Sequence, residues 1–164
     1  MNTIVKFFAL PALALSFSAA AYAGDRVCNG SLGSVKIDEN VVVEKGASCT
    51  LNGTVIDGNV KVYQGGKLQS RNARIDGDIQ ADKAASLNVS GGSVDGNIQI
   101  KESGAVQISG VRVNGDIQLF DNKAAVAVNR NTVDGNLQCK SNSRQPTGSG
   151  NRVKGNKEDQ CRSL

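Results

Sequence analysis

The sequence predicts an all-β, single-domain parallel β-helix of about seven coils of 19–20 residues, stapled by a disulfide at each end. Three observations predict it. A seven-residue unit recurs at nearly constant spacing, its apolar residues fall into columns when the repeats are aligned, and cysteines lie about one coil apart near both ends.

The unit reads Val94-Asp95-Gly96-Asn97-Ile98-Gln99-Ile100. It recurs from Ile56, Ile75, Val113 and Val133, and its glycines step through 58, 77, 96 and 115, then 135 and 155. A period near 20 residues is the signature of a stacked repeat. Before the first full copy, Ile37-Asp38-Glu39-Asn40 is a degenerate one, closing an N-terminal coil that starts near Asp25.

Within each repeat, apolar residues alternate with polar ones. One column holds Val41, Val60, Ile79, Ile98, Ile117 and Leu137, and two positions on another holds Val43, Val62, Ala81, Ile100, Leu119 and Cys139. A second pair of columns begins at Cys49/Leu51 and runs to Val126/Val128; a fifth holds Ile56 through Val153. A spacing of two is strand periodicity with one face buried, and no helical period persists. Like residues stay in register at every repeat only if each strand pairs in parallel with its copy one coil away. At about 4.8 Å per coil, the stack is a rod on the order of 34 Å long. The runs are unequal, which favours right-handed winding over the left-handed form with three equal sides.

Cys28 lies 21 residues before Cys49, and Cys161 lies 22 after Cys139. Positions one coil apart suit a disulfide, so the expected pairs are Cys28–Cys49 and Cys139–Cys161. The last coil departs from the pattern: Ser141 to Gly150 is polar and contains Pro146, and charged residues follow from Lys157. From about residue 140 it reads as a polar C-terminal cap, with a loop in place of the second apolar strand.

Residues 1–23 read as a signal peptide, with Lys6, an apolar run and Ala21-Tyr22-Ala23 as the cleavage signal. The domain is then 24–164, with no lipid-anchor pattern before Cys28 and no later segment apolar enough to be a transmembrane span. The expected location is exported, periplasmic or extracellular, where four cysteines form disulfides. With a formal net charge of +4 and, after the leader, only Tyr63 and Phe120 as aromatics, no nucleic-acid surface is expected.

The repeated Asp-Gly-Asn/Asp places Asp57, Asp76 and Asp95 in one column and Asn59, Asp78, Asn97, Asp116 and Asn136 in the next. These are candidates for a weak cation or glycan ladder. The reading that competes is a tight turn, in which Gly relieves the backbone and Asp or Asn bonds local amides in left-handed geometry. Asn and Asp alternate in the second column, so no carboxylate there stacks on another. Gln80, Gln99 and Gln118 form an outward amide stripe with the same two readings, glycan contact or solvated sheet face. No catalytic residue, metal site or cofactor is expected. The absence of histidine excludes Ser/His and Cys/His catalysis, there is no Cys-x-x-Cys, and the turns are too short to wall a cleft.

Across residues 37–139 the Val-x-Gly-Asn-Ile-x-Val units resemble bactofilins, polymer-forming bacterial β-helix proteins. The units ending in Gly-Asn-Leu-Gln-Cys-Lys (135–140) and Gly-Asn-Lys-Glu-Asp-Gln-Cys (155–161) resemble more closely a group of small exported bacterial β-helix proteins. The bactofilin resemblance implies self-association end to end. The expected function is a non-enzymatic structural or interaction protein of the bacterial envelope or extracellular matrix. Its expected partners are a polysaccharide or an envelope or matrix protein. A carbohydrate-binding or polysaccharide-acting β-helix is the alternative, and a self-assembling filament protein the third reading.

Overall fold

The computed structural model describes residues 24–164; the signal peptide expected over 1–23 lies outside them. The chain winds as a parallel β-solenoid of about seven turns with no helix among the described residues. Three parallel sheets run the length of the rod. Sheet A stacks Asp25–Val27, Asn40–Val43, Val60–Val62, Ile79–Asp82, Ile98–Lys101, Ile117–Phe120, Leu137–Lys140 and Lys157–Asp159. Sheet B stacks Gly30–Leu32, Ser48–Asn52, Lys67–Arg71, Ser86–Ser90, Ala105–Ser109 and Val126–Asn129. Sheet C stacks short two-residue strands, from Lys36–Ile37 to Arg152–Val153.

Each strand pairs with its copy one coil away, and the sequence columns are the registers. Val41 pairs with Val60, Val60 with Ile79, Ile79 with Ile98, Ile98 with Ile117 and Ile117 with Leu137. The Cys49/Leu51 and Ile56 columns align in the same way in sheets B and C. Alternation then sends one side chain of each pair inward. Ile56, Ile79, Ile98, Ile117 and Leu137 are fully buried in one continuous core. Each such side chain contributes about 2–3 kcal/mol through its removal from water.

The step from 19 to 20 residues has a location. Lys101 pairs with Phe120 at a separation of 19, whereas Val106 pairs with Val126 at 20, so the extra residue enters between Phe120 and Val126. That turn, from sheet A to sheet B, stays wider in the following coil.

The disulfides join Cys28 to Cys49 and Cys139 to Cys161, with Cα separations of 5.5 and 5.2 Å. Each closes a loop of about one coil near an end of the rod, worth about 3 kcal/mol by restriction of the unfolded chain. At the C-terminal end the chain turns over the core after Asp159, burying Cys161 and Leu164.

One expectation is refined and another corrected. Residues 141–150 form no strand, as expected, but they keep to the path of the coil instead of looping away from it. Thr147 bridges Ala127 in parallel, and Thr147 N–H donates to Val126 O while Val128 N–H donates to Thr147 O. Pro146 is therefore a buried continuation of the Cys49–Val126 column, admitted because its missing N–H lies at the end of the sheet. The motif glycines also serve a different purpose from the one expected. Gly77, Gly96, Gly115 and Gly135 are not in the left-handed region. They are small because a Cβ would stand 2.2–2.4 Å from the Asn or Asp Oδ1 of the preceding coil. Close approach, not backbone freedom, selects glycine at this corner.

Candidate ligand-binding groove on sheet A

The corner between sheets C and A carries the Asn/Asp column. The Oδ1 of Asn59 accepts the backbone N–H of Asp78 at 2.8 Å, and Asp78 Oδ1 accepts that of Asn97 at 2.7 Å. Asn97 in turn accepts from Asp116 at 2.8 Å, and Asp116 from Asn136 at 2.7 Å. One oxygen of Asp78 and of Asp116 is thus committed to the corner backbone of the next coil. Asp78 Oδ2 accepts the Gln80 amide at 3.2 Å. The Asp76/Asp78 pair consequently does not present two free carboxylates across a sugar.

Asp57, Asp76 and Asp95 project outward beside this corner and are exposed. Asp57 takes the Lys36 ammonium at 2.7 Å, and Asp95 Oδ1 accepts the Asn114 amide at 3.1 Å. Lys36 also bridges to Asp38 at 2.8 Å. Donating to Asp38 and then to Asp57 raises the Lys36 pKa well above its ordinary value, and the same bond to Lys36 holds the Asp38 carboxyl below its own. Among the described residues, no group of three or more His, Cys, Asp or Glu side chains is arranged to hold a metal ion.

The glutamines are placed differently. Gln80, Gln99 and Gln118 pair along the outer face of sheet A, one per coil, and line a groove of about 690 Å³. Bonding along this stripe is incomplete. Gln118 donates to Gln138 at 3.0 Å and Gln138 to Glu158 at 2.9 Å, but Gln80 turns aside to Asp78. Gln99, exposed at the centre, makes no side-chain hydrogen bond among the described residues.

Tyr63 and Phe120 also line the groove. Tyr63 follows Val62 in the outward position that Asp82, Lys101 and Phe120 occupy in the next three coils. The rings therefore stand about 14 Å apart along the rod, one at each end of the glutamine stripe. Tyr63 is 49% exposed, so its ring is open to a ligand. The charges between them are internally paired: Lys83 reaches Asp82 and Glu102, and Lys101 reaches Glu102, each at 3.7–3.8 Å. What remains is two rings, the unbonded Gln99 amide and the Lys61 ammonium, which enters no ion pair among the described residues. Such a surface can take hydroxyls and stack on apolar ring faces.

No family model, curated protein or solved structure matches the chain. The groove must be read on its own chemistry.

Sequence reasoning found the glutamines and missed their aromatic companions. Tyr63 and Phe120 are conspicuous as the sole aromatics of the domain, and each lies one residue beyond an inward column member. That offset was the available signal. The buried asparagines at the other corners were also missed. Asn122 and Asn142 lie between sheets A and B, Asn131 and Asn151 between B and C; each column holds asparagine only in its last coils, with Ser103 and Ala84 or Val111 and Gly92 before it.

Proposed function

We propose that this chain is an exported, non-enzymatic structural and interaction protein of a bacterial envelope or extracellular matrix, a stapled rod that presents a rigid polar surface. The observation that carries the reading is the sheet A groove, where Gln80, Gln99 and Gln118 lie between Tyr63 and Phe120 with Gln99 unbonded. Two disulfides fit an oxidising location outside the cytoplasm. Strands fixed on both sides by their neighbours hold the face rigid, so binding orders little of the protein.

The same observation favours a carbohydrate-binding role as the more specific form of this function. Side-chain amides share hydrogen bonds with sugar hydroxyls, and exposed rings stack on the apolar faces of pyranoses. The test is sedimentation of the protein with insoluble envelope polysaccharide, with soluble reducing ends followed over the same hours. Retention that drops at least tenfold in Tyr63→Ala and Phe120→Ala, with no sugar released, supports the reading. Unchanged retention in both variants overturns the groove as the contact face, and release of reducing ends overturns the non-enzymatic assignment.

A further inference from the structure

The outward column of sheet C is a basic row that no local stretch of sequence displays. It runs Lys36, Val55, Arg74, Ser93, Arg112, Thr132, Arg152, each paired with the next. A cation thus recurs at every second coil, about 10 Å apart. Lys36 is held by Asp38 and Asp57, but Arg74, Arg112 and Arg152 are exposed and enter no ion pair among the described residues.

The acid content beside this row falls toward the C-terminal end. Two residues on from the three arginines stand Asp76, Asn114 and Lys154. Asp134, in the intervening coil, is already paired to Lys154 at 2.9 Å.

A second arginine joins the row here. Arg130 and Arg152 line a hollow of about 230 Å³ together with Asn131, Thr132 and Gly150, and no acidic side chain lines it. Arg130 sits at the corner between sheets B and C with φ 52°, in a column otherwise filled by Gly53, Asn72, Gly91, Gly110 and Gly150. Lys83 and Glu102 adopt the same left-handed region at the turn between sheets A and B; within the Arg130 column only Asn72 and Arg130 carry a side chain, and only Arg130 a charge. A Cβ on Gly150 would stand 3.2 Å from the Arg130 side chain, so the glycine leaves room for the arginine stem.

We propose that sheet C is a second binding face, taking an acidic linear polysaccharide along the rod. One of its oxyanion groups seats between Arg130 and Arg152, and others meet Arg112 and Arg74. Guanidinium forks bind carboxylate and sulfate oxygens in pairs. A two-coil repeat is of the order of a disaccharide, so along a uronic-acid homopolymer every second carboxylate falls opposite an arginine of the row. Single-stranded nucleic acid is disfavoured because sheet C carries no aromatic residue on which bases stack. This face is separate from the sheet A groove and goes beyond the reading drawn from it.

The experiment titrates the purified protein with polygalacturonate at several salt concentrations, with neutral dextran, sodium sulfate and oligodeoxythymidylate as comparison probes. Polygalacturonate is expected to bind with affinity that falls steeply with salt. Arg112→Gln, Arg130→Gly and Arg152→Gln should each weaken it at least fivefold and lower the salt slope by about one. Lys123→Gln, an exposed cation at the turn between sheets A and B and away from both faces, should leave it unchanged. Arg130→Gly should at the same time leave the melting temperature unchanged or raise it, which separates lost binding from lost folding. Arginine variants that bind polygalacturonate like the parent, or that lower dextran binding as much as polygalacturonate binding, overturn the proposal. Sulfate alone binding as tightly as the polymer overturns the polymeric ligand, and tighter binding of the oligonucleotide overturns the polysaccharide assignment.

Discussion

The two ends of the rod solve the same corner with different chemistry. Between sheets B and C the inward position holds Thr54, Ala73, Gly92 and Val111 in the earlier coils, then Asn131 and Asn151 in the later ones. Between sheets A and B it passes from Ala84 to Ser103, Asn122 and Asn142. In the early coils Thr54 donates its hydroxyl to Leu32 O and Gly33 O at 3.1 and 2.9 Å, while at Ala73 and Gly92 the backbone closes on itself without side-chain bonds. In the late coils buried amides do the bonding: Asn131 Oδ1 accepts Val111 N–H at 2.9 Å while its amide donates to Ile108 O at 3.0 Å. Asn122 and Asn142 do the same at the wider turn, and Gln160 closes that ladder by accepting from Asn142 N–H at 2.8 Å. A buried polar ladder is stabilising only when complete, so the late coils tolerate less substitution than the early ones.

The sharpest way to break this contrast is Asn131→Ala, which leaves the Val111 N–H and the Ile108 carbonyl without their side-chain partner. Two buried groups at 1–3 kcal/mol each give an expected loss of about 4 kcal/mol in chemical denaturation. Ala73→Gly, at the equivalent early corner, should cost about 1 kcal/mol. Equal losses would erase the distinction.

Next in size are the staples. Cys139→Ala or Cys161→Ala should cost about 3 kcal/mol, and Cys28→Ala or Cys49→Ala nearly the same, because the closed loops differ by one residue. Hydrogen exchange should place each loss in the adjoining coils, since a solenoid frays from its ends. The ends differ in cover: Leu164 is buried over the C-terminal core, whereas Val27 and Val35 are 49% and 48% exposed at the other end. Faster exchange in the first coil than in the last, with both disulfides intact, is expected from that asymmetry.

The corner between sheets C and A is common to both halves and should respond uniformly. Gly96→Ala and Gly135→Ala each bring a Cβ to 2.2 Å from an aspartate Oδ1, so each is expected to cost about 2 kcal/mol. A difference of more than about 1 kcal/mol between them would show that the late ladder stiffens this corner as well.

Smallest is the exposed Lys36 pair near the N-terminal end. The Asp38 carboxyl is held below its ordinary value in the folded chain, so its contribution is present above the unfolded pKa of about 3.9. It is lost as pH falls through the lowered folded value. Asp38→Asn should therefore shift melting slightly at neutral pH and not at all in strong acid.

The coil was legible because its signals are local. Val41, Val60, Ile79 and Ile98 announce inward positions by alternation within their own strands, and the cysteines announce the ends by spacing. Pro146 was not legible as a core residue: its coil lacks apolar partners, and only pairing with the coil above shows its place. The Asp-Gly-Asn corner was legible as a corner. That its carboxylates bond the next coil's backbone was not, since the partner lies a full repeat away.

By itself the sequence determined the winding, the registers and the disulfide pairs, because period and alternation are properties of one chain segment compared with the next. Only the tertiary structure decided which outward residues share a surface. Each coil contributes one residue to each column, so Arg74, Arg112 and Arg152, or Tyr63 and Phe120, become neighbours along the rod while standing two or three repeats apart in the chain. Stacking turns a scattered set of side chains into a face, and a face is what a ligand meets.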